Sequence, residues 1–392
     1  MKKVYILQDF LCHTLENDKL IKRSAWTRTF FSVLKSVLGK NTILKADYGD
    51  SIINEKGEKF NRTKFFELCG FKDIPEMYYP YKSSDFTKEA IEYLSSFFNE
   101  NCIIIGYELG KQLCDTLTSF GCRIIDIALH PFRIYDDFLL LFHTNDTEIH
   151  SILKKYQFPE EQFYFYANYW KEFMLGNNMV KDDDIEQNSA LFVGQTLKDK
   201  SVDYNGKYLN VTDYKDKIHE ITKQYSKLYY SPHPLLGSRW KKIYNFIKNT
   251  PNVELIQGHS TYSLLASDKI KKVVALSTSV LYEAQYFGKE IEYWYRPLYN
   301  IDVPYEEYSY ISIGPNMFFN QAFWKEILSP ICNTKEIVLN QCLFNSIKNR
   351  LRNIDDNYFG YAALDDLKRF SRPNFSKQVR QIFNFYIGRY RS

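Results

Sequence analysis

Apolar residues along this chain fall in short runs separated by amphipathic, helix-length segments, and the runs predict most of its elements. Lys3 to Gln8 reads as a buried strand, as do Asn101 to Gly106 and Cys122 to Ala128, with a helical segment at Phe86 to Phe98. Strands that alternate with helices predict a parallel sheet. Between Gly176 and Ser189 the apolar pattern stops, and Asp182-Asp183-Asp184-Ile185-Glu186 supplies an acidic, solvated connection. Five apolar runs follow, at Ala190 to Val193, Lys227 to Tyr230, Val253 to Ile256, Lys272 to Leu276 and Glu290 to Trp294. Helix-length segments at Trp240 to Lys248, Ser260 to Ala266 and Val280 to Phe287 separate them. Such spacing predicts a doubly wound α/β domain whose ligand sits beyond the carboxyl ends of the strands. Beyond about Asn320 the chain turns helical and basic. The expected division is a first domain over 1–186, a second over 187–330, and a basic helical segment over 331–392 that packs back across both.

Size agrees with two domains, because 392 residues with 45% apolar content exceed what one core usually holds. A formal charge of +4 with both signs interleaved argues against a nucleic-acid binder. The basic excess is local: Lys368, Arg369, Arg372, Lys377, Arg380, Arg389 and Arg391 lie between Leu367 and Ser392 with no acidic residue among them. Seven widely spaced cysteines without a CxxC pair read as free thiols in a reducing compartment. Gln8 and Asp9 interrupt the first apolar run before it could serve as a signal sequence, so a cytoplasmic protein is expected. Phe138 to Phe142, the longest apolar stretch, is far short of the ~20 residues that cross a bilayer. Membrane contact is therefore expected to be peripheral, through the basic C-terminal segment. The 32 Tyr and 30 Phe are what an AT-rich coding sequence produces, and they are not read as sugar platforms.

Candidate chemistry lies just after the strands of the second half. After the first come Gly194, Gln195 and then Asp199, a carboxylate in a loop at the sheet's carboxyl edge that also suits a plain turn. After the second comes Ser231-Pro232-His233-Pro234, where two prolines hold the imidazole at a set angle. After the third come Gln257, Gly258, His259 and Ser260, small and polar enough to approach a ribose or base. After the fourth come Ser277, Thr278 and Ser279 ahead of an apolar helix, a ready phosphate site where one hydroxyl would already cap the helix. No GxGxxG, GxxxxGK[ST], GxSxG or HExxH is present, which removes support from dinucleotide oxidoreductases, P-loop NTPases, serine hydrolases and zincins. The Asp182-Asp183-Asp184 run follows no strand and reads as a linker rather than a metal site.

The ordered set GQxxxDxS, PHP and STSVLYEAQYFGK resembles the retaining β-Kdo glycosyltransferases of bacterial capsule and O-antigen assembly. More widely it is similar to bacterial sialyltransferases of the same fold. The likeness covers Ala190 to Pro297 well and the first half loosely; this sequence carries one copy of a module that the capsule enzymes duplicate, as one module of a longer polypeptide or as a stand-alone relative. The resemblance implies a GT-B fold, two Rossmann-like domains facing each other across a cleft. It implies a CMP-Kdo donor held by the second domain, with no metal and no organic cofactor, and a lipid-linked glycan acceptor held by the first. In that reading Asp199 is the covalent nucleophile and His233 serves the departing phosphate. Gln195, Ser277, Thr278 and Ser279 line the donor site, Gln257, His259 and Ser260 approach the nucleoside, and Glu283 holds a ribose hydroxyl or orients its helix. Asp126, His130, Arg133 and Asp136 form the segment most like an acceptor site. Two alternatives stand beside it: an inverting CMP-sialic acid or other nucleotide-sugar transferase with Asp199 as general base, and a non-catalytic polysaccharide-assembly protein.

Overall fold

The computed structural model describes residues 3–8, 14–16, 19–21, 52–70, 86–196, 199–204, 207–233, 240–256, 258–318 and 320–331. Two large sheets organise them. In the first, β1 (Lys3–Gln8), β2 (Cys102–Tyr107) and β3 (Arg123–Leu129) run parallel, and β4 (Leu140–Thr144) pairs antiparallel with β3. Every residue of β2 and β4 is buried, as strands covered on both faces require. Alternation divides the neighbours: Val4, Ile6, Ile103 and Ile105 enter one core, while Tyr5, Leu7, Cys102 and Ile104 enter the other. The second of these cores is closed by α1 (Arg62–Leu68), α2 (Lys88–Ser95) and α3 (Lys111–Ser119), which contribute Phe65, Phe66, Leu94, Leu113 and Leu117. The first receives Ile149, Ile152 and Leu153 from α4 (Thr147–Lys155), whose N-terminus Asp146 caps by accepting from Glu148 N–H and Ile149 N–H.

Next comes α5 (Glu160–Gly176), a 17-residue helix whose buried Phe163, Ala167, Trp170 and Met174 pack in the core of the second sheet. That sheet is parallel throughout: β5 (Ser189–Val193), β6 (Leu228–Ser231), β7 (Val253–Leu255), β8 (Ile270–Ala275) and β9 (Glu290–Tyr293) lie in the order β7-β6-β5-β8-β9. Its crossovers contain α6 (Lys215–Gln224), α7 (Lys241–Lys248), α8 (Thr261–Ala266) and α9 (Ser279–Tyr286). The chain moves outward from β5 to β7 and then returns to the other side of β5 as β8. Ligands of such sheets sit at the carboxyl ends where the order reverses, here between β5 and β8.

After β9 the chain goes back to the first sheet. β10 (Asn300–Ile301) and β11 (Ser309–Ile313) extend it to β1-β2-β3-β4-β11-β10, with β11 antiparallel to β4 and parallel to β10. The one-turn α10 (Pro315–Phe318) and α11 (Gln321–Leu328) then bury Phe318, Phe323, Trp324 and Ile327 in the core that α4 closes. Two expectations change. The first sheet is mixed, because β3 and β4 are joined by ten residues without a crossover helix, which suits an antiparallel pair. The return begins at Asn300 rather than near residue 331, because the apolar residues of 311–331 complete a face beside β4 that the first half leaves open. Residues 332–392 lie outside the described residues. Among the described residues no helix is long and apolar enough to cross a membrane.

Trp324 is fully buried and its Nε1 donates to Phe318 O at 2.7 Å. Its replacement by alanine is expected to cost about 3–5 kcal/mol, the range for a large core truncation. Urea unfolding followed by circular dichroism checks this, and a cost below about 1 kcal/mol would remove the return segment from the core.

Candidate functional site

The strand ends at the reversal are held by hydrogen bonds among loop residues. Gly194 N–H donates to Ser231 O at 2.8 Å, and a Cβ on Gly194 would sit 2.8 Å from Tyr230 Oη, so glycine alone lets β5 leave the sheet pressed against β6. Gln195 Oε1 accepts from Ser277 N–H at 2.9 Å, across the gap between β5 and β8. Its Nε2 donates to Ser201 Oγ at 3.3 Å, and Ser201 N–H in turn donates to Asp199 Oδ1 at 2.8 Å. Asp199 is thereby fixed at the head of a single 3-10 turn over Lys200–Val202, half-buried. Three bonds thus connect the loop after β8 to the carboxylate after β5.

Ser277 is 7% exposed, and its shielded Oγ has no hydrogen-bond partner among the described residues. A buried hydroxyl left this way is costly, which marks it as a group awaiting a partner. It stands just ahead of α9, where Thr278 is the N-cap and Ser279 the first helical residue. The Thr278 Oγ1 accepts from Val280 N–H at a long 3.4 Å. First-turn N–H groups lack partners within the helix and carry the positive end of its dipole. A hydroxyl and a helix N-terminus at one place suit an anion such as a phosphate.

His233 follows β6, the strand beside β5, and is half-buried. Burial pushes its imidazole below the usual value, and the Asp199 carboxylate opposes that from nearby. The ring is therefore neutral at pH 7 and able to take a proton.

Other expected site residues are engaged elsewhere. Glu283 is fully buried; Oε1 accepts from Arg133 N–H at 2.6 Å and Oε2 from Tyr262 Oη at 2.9 Å, so of its two expected roles the geometry supports helix orientation over a ribose contact. His259 and Ser260 follow β7, two strands from β5. His259 Nε2 lies 3.2 Å from Asp184 Oδ2, and Ser260 caps α8 by accepting from Ser263 N–H at 3.0 Å. Gln257 lies outside the described residues. In the first half, Asp126 sits inside β3 with no exposed surface, accepting from Leu109 N–H at 3.0 Å and Tyr310 Oη at 2.7 Å. His130 is also fully buried, stacked on Phe163, its ring nitrogens engaged with Ser312 Oγ and Phe132 N–H. The Arg133 guanidinium lies 5.4 Å from the centre of the Phe138 ring, and Asp136 accepts from Tyr166 Oη at 3.2 Å. These four do not form an open acceptor site, because Asp126 and His130 are core residues whose polar atoms are already bonded. Asn210 and Val211, at the capped start of a single 3-10 turn over Val211–Asp213, line a small hollow beside Gln195 with Thr196 and Leu209; a one-turn element gave no sequence signal.

Two outcomes follow. Ser277→Ala should leave the melting temperature equal or raise it, because the deleted hydroxyl has no partner among the described residues; a loss above about 1 kcal/mol in urea unfolding would show a further structural bond. The second outcome concerns acid. Burial holds the His130 ring well below the usual value and pushes His143 down to about 4. From about pH 6.5 to 4 the unfolded chain therefore binds protons that the folded one refuses, and stability should fall as pH drops through that window, by up to ~1.4 kcal/mol per unit and per histidine. His143 Nδ1 is 2.9 Å from Ser309 O, a bond an asparagine can replace. His143→Asn should flatten the slope, and an unchanged slope would clear His143 of this role.

No protein-family model matches the chain, and no curated protein matches it. Among solved structures it is similar to the beta Kdo 2,7 transferase of Thermosulfurimonas dismutans KpsC, with a TM-score of 0.38 and 13% identity over 84% of this chain and 100% of that one. It is also similar to the beta Kdo 2,4 transferase of Thermosulfurimonas dismutans KpsC, with a TM-score of 0.30 and 12% identity over 50% of this chain and 70% of that one.

Proposed function

We propose that the chain is a glycosyltransferase that moves Kdo from CMP-β-Kdo to a sugar acceptor of a surface polysaccharide, O-antigen or capsule, with retention of configuration. One observation carries the reading: the unpartnered Ser277 Oγ at the N-terminus of α9 is joined through Gln195 and Ser201 to the carboxylate of Asp199. An anion cradle and a carboxylate held in one network are what a phosphate-activated sugar needs, one at each end of the bond that breaks.

In the proposed first displacement the Asp199 carboxylate attacks the anomeric carbon, the bond to the phosphate oxygen breaks, and CMP leaves into the donors around Ser277, Thr278 and Ser279. In the second, the acceptor hydroxyl attacks the same carbon, releases Asp199 and gives its proton to a base. Two inversions retain the configuration. His233, neutral in the free protein, takes a proton when the phosphate arrives and stabilises its departure. Gln257, His259 and Ser260 are proposed to reach the nucleoside, while Glu283 orients α9. The lipid-linked acceptor and contact of the basic 367–392 segment with an anionic membrane face belong to the same proposal.

CMP released from CMP-Kdo but not from CMP-sialic acid is the expected result. The reverse would support the inverting enzyme, and no turnover of any nucleotide sugar a non-catalytic assembly protein. His233→Ala should lower transfer by ~10²–10⁴ with the fold intact. Intact-mass spectrometry of Asp199→Cys incubated with CMP-Kdo should show one added Kdo that persists. Absence of an adduct on both wild type and variant, with an inverted product by NMR, would make Asp199 a general base.

A further inference from the structure

Gln195 stands where the two halves of the proposed site meet, and we infer that it is a positioning residue: it sets the anion-binding turn at Ser277 and the carboxylate of Asp199 in one register while making no contact with the donor itself. The inference rests on the proposed transfer for its catalytic consequence. Its geometry is independent of that reading. The amide uses both of its ends, the oxygen for Ser277 N–H at 2.9 Å and the nitrogen for Ser201 Oγ at 3.3 Å. A side-chain amide offers an acceptor and a donor side by side without charge, and asparagine is one methylene shorter.

Each bond has a consequence for the chemistry. The first removes Ser277 N–H from the donors that could face a phosphate, leaving Ser277 Oγ and the first-turn N–H groups of α9 for that work. The second fixes Ser201, whose own N–H fixes Asp199 Oδ1 at 2.8 Å; among the described residues no hydrogen bond engages Oδ2, the oxygen left to react. A change in the Ser277 turn on phosphate binding is therefore transmitted to the carboxylate through two side chains. The sheet does not need this link, because β5 and β8 are already paired through Val273↔Leu191 and Val274↔Phe192. The amide lies beyond the last pair.

Two substitutions test the role, with CMP as the calorimetric probe and CMP-Kdo as the substrate. Gln195→Glu keeps the acceptor for Ser277 N–H but places a negative charge beside the proposed anion-binding turn. CMP binding should weaken about tenfold to a hundredfold at pH 8, and the ratio to wild type should narrow towards pH 4 as the new carboxyl is protonated. Gln195→Leu keeps the volume and loses both bonds. Its kcat should fall ~10²-fold while CMP affinity falls by less than about tenfold, because the interaction serves the transition state more than the ground state. A pH-independent loss in Gln195→Glu, or equal losses of binding and turnover in Gln195→Leu tracking a lowered melting temperature, would reduce Gln195 to a structural strap. Wild-type kcat in Gln195→Leu, from an enzyme that does transfer Kdo, would overturn the inference and leave the proposed function standing. If instead the wild type turns over no CMP-sugar but Gln195→Glu shows the pH-dependent loss of CMP binding, the coupling to the cradle holds and the proposed transfer falls.

Discussion

A carboxylate cut off from water joins the two halves of this molecule. Glu283 is fully buried in the middle of α9, accepting from Arg133 N–H in the first half and from Tyr262 Oη on α8. A buried carboxyl group persists only where its hydrogen bonds are made, so this residue fixes three segments at once. Aromatic rings close around it: His130 meets Tyr282 edge-on at 5.0 Å, and Phe132 meets Tyr286 at 5.8 Å. The helix whose N-terminus carries Ser277 is thereby clamped to the first half by its body. The end that would meet an anion is held as part of a packed core rather than as a free loop.

That clamp explains which parts of the molecule were legible in the sequence. Strands β1, β2, β3, β5, β6 and β8 show as apolar runs because each is buried by neighbours close in sequence, while β7 and β9, at the sheet's edges, are only partly covered; the strand ends place Asp199, His233 and Ser277 on one sheet edge without any further information. Residues 309–313 and 321–328 were harder. Their burial depends on β4 and α4, about 170 residues earlier, and no local periodicity records a partner so distant. Phe138 to Phe142 was similarly visible only as an apolar stretch, since its strand character comes from pairing on both sides. For polar residues the ambiguity is sharper. Asp126, His130 and Glu283 have the residue types of a site and the positions of a site, yet their oxygens and nitrogens are occupied by Tyr310, Ser312, Arg133 and Tyr262. Sequence pattern locates a polar group on an element; whether its lone pairs are free is decided by residues from other elements.

Ser277 and His233 represent opposite electrostatic conditions at the ends of the two strands that flank β5. The hydroxyl is buried without a hydrogen-bond partner among the described residues, and the imidazole is held neutral by burial against the pull of Asp199. Neither stabilises the fold. An arriving phosphate would reverse both terms, supplying the acceptor that Ser277 lacks and a negative charge that makes protonation of His233 favourable. A charged imidazolium near Asp199 would interact with that carboxylate, which a neutral histidine does not. The depressed imidazole is thus consistent with a site whose charge is assembled by its ligand, with Gln195 holding the geometry in the interval.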